Sequence, residues 1–151
     1  MNKAALITFL VSMVPVVELR GAIPYGVAAG LSVQQALLIS IIGNFLPIPI
    51  LILFTKKVFA WLRTMSAGLN RFVSKLEARA DEKKEIVEKY AFWGLMILVA
   101  IPLPGTGGWT GALVAAMMDM KLRKALPAIF VGICVAGIIV SALTFGVQAL
   151  V

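Results

Sequence analysis

Charged residues divide the chain into uncharged stretches, and these stretches define its elements. Between Lys3 and Glu18 lie fourteen uncharged positions, and Pro15 cuts that run shorter still. About 20 apolar residues are needed to cross a bilayer, and shorter runs more often enter and turn back. The thirty-five uncharged positions between Arg20 and Lys56 are too many for one upright helix. Pro24, Gly26 and Gly30 are expected to break the early part, and Ser32 has the chemistry of an N-cap. That leaves 33–55 as a full span of roughly 35 Å, kinked at Pro47 and Pro49.

From 56 to 89 the pattern changes. Leu62, Met65, Leu69, Phe72, Val73 and Leu76 recur at a 3–4 spacing, with Arg63, Arg71, Lys75 and Arg79 between them. This predicts an amphipathic helix that lies on a membrane surface or extends the preceding span. The Glu82–Glu85–Lys89 spacing suits a solvated helix face. The next uncharged run, 90–118, is interrupted by Ile101-Pro-Leu-Pro-Gly-Thr-Gly-Gly-Trp109, which cannot continue a straight helix. Its arms, 90–101 and 109–118, are each too short to cross. Asp119 is then a cap candidate, Lys121, Arg123 and Lys124 form a short basic loop, and 125–151 is the last span.

A shift of eighty-seven residues superposes Pro15 on Pro102, Gly21 on Gly108, Val27-Ala28-Ala29 on Val114-Ala115-Ala116, and Ser32 on Asp119. Each half reads as short arm, broken centre, short arm, cap and full span. Basic residues stay on the cytoplasmic side, so the first span runs inward to Lys56 and the second outward from Lys121–Lys124. Ser32 and Val151 are expected outside and 56–89 inside. The fold expected is a single all-α integral membrane domain over 1–151, an inverted repeat. Repeat 1 (1–55) and repeat 2 (90–151) each hold a re-entrant helical hairpin, 3–30 and 90–118, followed by a transmembrane helix. A cytoplasmic amphipathic connector, 56–89, joins them. Broken helices meeting at the midplane in inverted repeats are a transporter plan.

Composition agrees with that placement. Hydrophobic residues make up 61% of the 151-residue chain, charged residues only 14%, and the mean hydropathy is +1.00. A soluble domain carries roughly 25% charged residues, so this chain lacks the polar surface for one. The net charge of +7 does not point to nucleic acid, because nine of the fourteen basic residues sit in 56–89 beside five of the seven acids. With no histidine and one cysteine, Cys134, neither an internal disulfide nor a His/Cys metal site is available. No cofactor is expected. The apolar N-terminus is read as retained rather than as a cleaved signal, because more membrane sequence follows it.

Two ionisable residues, Glu18 and Arg20, stand in the first broken centre, far in sequence from any other charge. An ionisable side chain at membrane depth costs about 2.5–3.5 kcal/mol or more and marks a functional site by default. Glu18 can exchange a proton or cation, and Arg20 can hold an anionic group. Alternatively, the two cap backbone ends or lock the hairpin. The second broken centre offers the backbone N–H groups of Thr106, Gly107, Gly108 and Trp109 ahead of a helix, a setting that favours an anion; a Pro/Gly turn that only makes the hairpin is the alternative. Asn44, inside the first span, is a candidate interhelical hydrogen bonder or secondary site residue, and Asp119 a candidate cap or secondary site residue.

The motif Pro15-x-x-Glu18-Leu19-Arg20-Gly21-Ala22-Ile23-Pro24, taken with Pro102-Leu-Pro104-Gly105-Thr-Gly107, resembles the small multidrug export protein family of prokaryotic membrane proteins. That family is distantly similar to the DedA/VTT membrane proteins, which are thought to carry two opposed re-entrant hairpins and to act in lipid-carrier recycling or proton-linked transport. The resemblance implies signature positions at Glu18, Arg20, Gly21, Pro24, Pro102, Pro104, Gly105 and Gly107. It also implies residence in the cytoplasmic (inner) membrane. The chain lacks the arginine that DedA proteins carry after their second glycine-aromatic motif, and it has no additional N-terminal span.

These readings lead to one expectation: a non-enzymatic transporter exporting a small molecule, coupled to protons, through a site drawn from both broken centres. Its candidate residues are Glu18, Arg20, Gly21, Pro24, Pro102, Pro104, Gly105, Thr106, Gly107, Gly108 and Trp109. A DedA-like translocase of a lipid phosphate and a non-transporting scaffold are the alternatives. Two spans and two hairpins enclose little volume, so a homodimer among membrane lipids is expected.

Overall fold

The computed structural model describes residues 3–82, 84–103 and 105–150. Every regular element among them is a helix: α1 (Lys3–Met13), α2 (Glu18–Ala28), α3 (Val33–Phe45), α4 (Ile48–Met65), α5 (Ala67–Glu82), α6 (Lys84–Ala100), α7 (Gly108–Met117) and α8 (Leu122–Leu150). Two stretches are long and apolar enough to cross a membrane, Val33–Met65 and Leu122–Val147. Large apolar side chains such as Leu38, Ile42, Leu53, Ile138 and Phe145 point outward along them, as a lipid-facing surface requires.

Local chemistry accounts for most boundaries. Ser32 caps α3 in a full capping box: its hydroxyl accepts from Gln35 N–H, and its own N–H donates to the Gln35 side chain. Pro47 has no N–H to donate, and α3 gives way to α4 there. The helix then continues past Lys56 to Met65, so the charged segment first extends the span. Ser66, in extended backbone, ends α4 before α5 begins. Tyr90 kinks α6 where the charged segment meets the apolar arm. The side chains of Glu82, Glu85 and Lys89, the expected solvated face, lie outside the described set.

Two expected breaks fall elsewhere. Pro24 and Gly26 lie inside α2 rather than interrupting it, and the chain turns at 14–17 instead. Val16 and Glu18 take left-handed backbone there, with φ of 74° and 47°. Such conformations cost about 1–3 kcal/mol each in non-glycine residues and are held by surrounding contacts. Asp119 does not cap α8, which begins three residues later. It sits in the left-handed turn that closes α7, at φ 52°.

The turns that follow α2 and α7 share one hydrogen-bond pattern. The turn after α2 bonds Leu31 N–H to Gly26 and Gly30 N–H to Val27. The turn after α7 bonds Met120 N–H to Ala115 and Asp119 N–H to Ala116. The two turns are related by 89 residues, two more than the offset that aligns the prolines. The same shift relates Gly43 to Gly132. A methyl group on Gly43 would lie 2.7 Å from the Phe9 carbonyl of α1, and one on Gly132 2.8 Å from the Met96 carbonyl of α6. In each half, a glycine lets the long helix press against the short helix that opens that half. The main core gathers Leu19 and Ile23 of α2, Ile48 and Ile52 of α4, Leu95 and Val99 of α6, the alanines of α7, and Ile129 and Ile133 of α8.

Candidate functional site

The two broken centres meet, and the first holds the second. Arg20, in the first turn of α2, aims its guanidinium at the loop between α6 and α7. Nη1 donates to the carbonyls of Leu103 (2.6 Å) and Thr106 (2.7 Å). Nη2 donates to the Ile101 carbonyl (3.0 Å) and to Thr106 Oγ1 (2.8 Å). The Thr106 hydroxyl lies within donating distance of the Ile101 and Leu103 carbonyls. These carbonyls belong to the loop that follows α6, where those of Ile101 and Leu103 also accept backbone N–H groups, and one arginine ties the loop to α2. All four Nη–H groups are thus engaged by this chain, and only Nε is buried without a partner.

Glu18 lies against the start of α7. It is 2% exposed, and its Oε1 accepts the Trp109 N–H at 3.0 Å. The N-terminus of a helix attracts an anion, and the carboxylate against it belongs to the chain itself. Gly107 makes that approach feasible. Its φ of +123° is foreign to L side chains, and a methyl group there would come within 2.8 Å of the Glu18 carboxylate carbon. Glu18 Oε2 is buried with no partner. Trp109 completes the junction, donating its indole N–H to the Met13 carbonyl at the end of α1 (3.2 Å).

The remaining candidates divide. Gly21 leaves room for the Val17 side chain folded over the turn, and Gly105 takes a left-handed turn, its carbonyl accepting from the Thr110 hydroxyl. Gly108 packs against Ile48, Ile133 and the Asn44 side chain. Asn44 is wholly buried, with neither side-chain atom partnered. Asp119 is remote from this junction and pairs with Lys56 of α4, both side chains being exposed. Pro104 lies outside the described residues. A cavity of about 500 Å³ opens beside the junction. Pro24 and Val27 of α2, Pro102, and Val140, Leu143 and Thr144 of α8 wall it, and Arg20 reaches it too. The α8 wall was invisible in sequence, where nothing marks which face of a uniformly apolar helix meets α2. Among the described residues, no cluster of acidic or cysteine side chains is placed to hold a metal ion.

The family described as "Putative small multi-drug export protein" matches residues 18–139, from Glu18 itself to well along α8. The chain belongs to this family. No curated protein and no solved structure matches it. Membership in an export family, together with the two long apolar helices, marks a membrane protein. The family match begins at the first residue of α2, so it takes in every contact of Glu18 and Arg20 with the α6–α7 loop.

Proposed function

We propose that this chain exports a small, largely apolar molecule across the cytoplasmic membrane of a prokaryote, with proton exchange at Glu18 driving the step. The observation that carries this reading is the apolar cavity bordered by Arg20, with the buried Glu18 carboxylate two residues away on the same turn of α2. In this reading α1–α2 and α6–α7 are re-entrant hairpins meeting near the midplane. The two halves are inverted, and 56–89 faces the cytoplasm. The recurrence of turns and glycine contacts at one offset supports the repeat. A homodimer would complete the lipid-facing surface.

Glu18 suits the coupling role because one oxygen is fixed and the other is free. Oε1 is held by Trp109 N–H at the mouth of α7, so the carboxylate keeps its place. Oε2 has no partner and can take a proton without breaking any bond. Arg20 acts as a positioning residue. It ties the α6–α7 loop to α2, so a change of charge at Glu18 is transmitted to the loop that carries Pro102 into the cavity wall.

One observation favours a second reading, translocation of a lipid phosphate. Arg20 borders an apolar cavity, an arrangement suited to an acyl chain ending in an anion. Against it, the paired donors that would grip a phosphate in a fork are spent on carbonyls. Proteoliposomes separate the readings. Uptake of ethidium and flipping of a fluorescent polyprenyl phosphate are each measured across a pH series, with an uncoupler control and matched insertion. Export predicts that Glu18→Gln abolishes pH-dependent ethidium transport while Arg20→Lys retains a reduced rate. Lipid-phosphate flipping predicts the reverse order. If neither substrate moves with the wild type, or both variants match it, the junction is a scaffold and the proposal fails.

A further inference from the structure

Asn44 lies deep in the molecule, 0% exposed, with both its Oδ1 and Nδ2 lacking hydrogen-bond partners. Buried polar atoms are almost always paired, and leaving an amide unpaired costs about 1–3 kcal/mol by mutational measures. Asn44 is also next to Glu18 in a definite sense. The two side chains lie against consecutive residues: the Glu18 carboxylate against Gly107, and Asn44 Oδ1 3.3 Å from where a methyl group on Gly108 would sit. Two orphaned acceptor oxygens, one of them on a carboxylate, therefore face the same bare strip of backbone at the start of α7. Ser40, one turn before Asn44 on the same face of α3, is likewise wholly buried with its hydroxyl unpartnered.

The charges around this strip are few. Neither α3 nor α7 carries an ionisable side chain, and α1 carries only the exposed Lys3. On α8, Arg123 and Lys124 are exposed on the first turn, and Lys56 of α4 is paired with Asp119. Arg20 is the charge that Glu18 feels, and its Nη groups are committed to the α6–α7 loop. Asn44 Nδ2 and Arg20 Nε are unpartnered donors here, yet neither bonds to Glu18 Oε2, and the two orphaned acceptor oxygens match a small positive ion.

We propose that Glu18 Oε2 and Asn44 Oδ1 together form a binding site for one small monovalent cation, arriving as a hydrated proton or as sodium, with Ser40 continuing the polar file along α3. The inference rests on the reading of Glu18 as the coupling carboxylate and adds the second ligand. Asn44 then sets the affinity for the ion, while Glu18 supplies the charge.

The test needs no substrate. Melting of the detergent-solubilised protein is followed as sodium replaces choline at constant ionic strength, and separately as pH is varied without sodium. An ion bound only by the folded state raises the melting temperature by mass action. The wild type should show a saturable rise in one of the two titrations, and that arm identifies the ion. Asn44→Leu, which keeps the branched shape in a larger side chain and removes the oxygen, should move the midpoint by about tenfold, as for one lost contact to a charged group. If Asn44→Leu does not fold, Asn44→Asp replaces it, and an added carboxylate must tighten the site. A wild type with no saturable response in either titration, or midpoints unmoved by the Asn44 variant, overturns the site. Unmoved midpoints beside a Glu18→Gln protein that has lost pH-dependent transport would remove Asn44 alone and leave the proposed function intact. Transport indifferent to Glu18→Gln would remove that reading itself.

Discussion

Arg20 and Trp109 stand 89 residues apart, the spacing of the two matching turns, and each donates across the junction to carbonyls at or just beyond the end of a helix. Arg20 reaches Ile101 and Leu103 beyond α6, and Trp109 reaches Met13 at the end of α1. Between them, Glu18 and Gly107, related by the same offset, touch each other. The junction is a reciprocal cross-brace. Its two arms differ in strength, four bonds from a cation against one from a neutral indole. Trp109→Phe should therefore cost about 1 kcal/mol, and Arg20→Lys, which loses the planar fork, about 2–4 kcal/mol. Equilibrium unfolding in mixed micelles checks the order; equal losses would contradict the brace.

Gly107 admits no side chain for two separable reasons: its backbone angle and the carboxylate beside it. Gly107→Ala should be severely destabilising in the native background. In a Glu18→Ala background the collision is gone, and the remaining penalty should fall to the backbone strain alone, about 1–3 kcal/mol. A double-mutant cycle measures the difference. Strict additivity would show that the carboxylate does not occupy the place described.

The start of the first span and the existence of the two broken centres were legible because caps, charge and proline act locally, whereas the end of that span was not, the helix running past Lys56 to Met65. Lys3, Glu18, Arg20 and Lys56 bound uncharged runs whose length alone limits what they can be, and Ser32 with Gln35 carries its cap in four residues. The anion preference of the Gly105–Gly108 loop was also legible, but not its occupant. Ninety-one residues separate Glu18 from Trp109, and no local signal reports such a pairing. Pro24 misled because α2 runs through it, the proline removing a single i→i−4 bond that packing on both sides outweighs. The 87-residue shift rests on matched prolines and glycines, whereas the hydrogen bonds of the turns after α2 and α7 recur at 89 residues, a match of backbone that residue identity does not report.

Gly43 and Gly132 set how closely the long helices approach α1 and α6. Gly43→Leu and Gly132→Leu should each cost about 3 kcal/mol through overpacking. Gly94→Leu and Gly146→Leu, where a Cβ meets open space, should cost far less. Melting temperatures of the four proteins test this. A tolerated leucine at 43 or 132 would mean that the halves do not close as described.

Asp119 is expected to matter little. Its partner Lys56 and Asp119 itself are both largely exposed, and exposed ion pairs contribute about 1 kcal/mol or less. Asp119→Asn should leave stability nearly unchanged and transport intact at every pH. A transport defect without loss of stability would move Asp119 from surface pairing into the mechanism.

The proposed inverted arrangement makes a prediction that packing alone does not. If the halves are opposed across the bilayer, the chain between α2 and α3 and the end of α8 face outward, and α5 faces inward. Positive charge supports this, because Lys56, Lys57, Arg63, Arg71 and Lys75 cluster around α4 and α5 while no charge follows Lys124. Single cysteines at Ser32, Ala78 and Ala149, in a Cys134→Ser background, all replace exposed residues. An impermeant maleimide added to intact cells should label positions 32 and 149 and spare 78 until the cells are opened. Labelling at 78 with protection at 32 would reverse the orientation and keep the opposition. Labelling at only one of 32 and 149 would place the two on opposite faces and end the inverted reading, since the halves would then run the same way through the membrane.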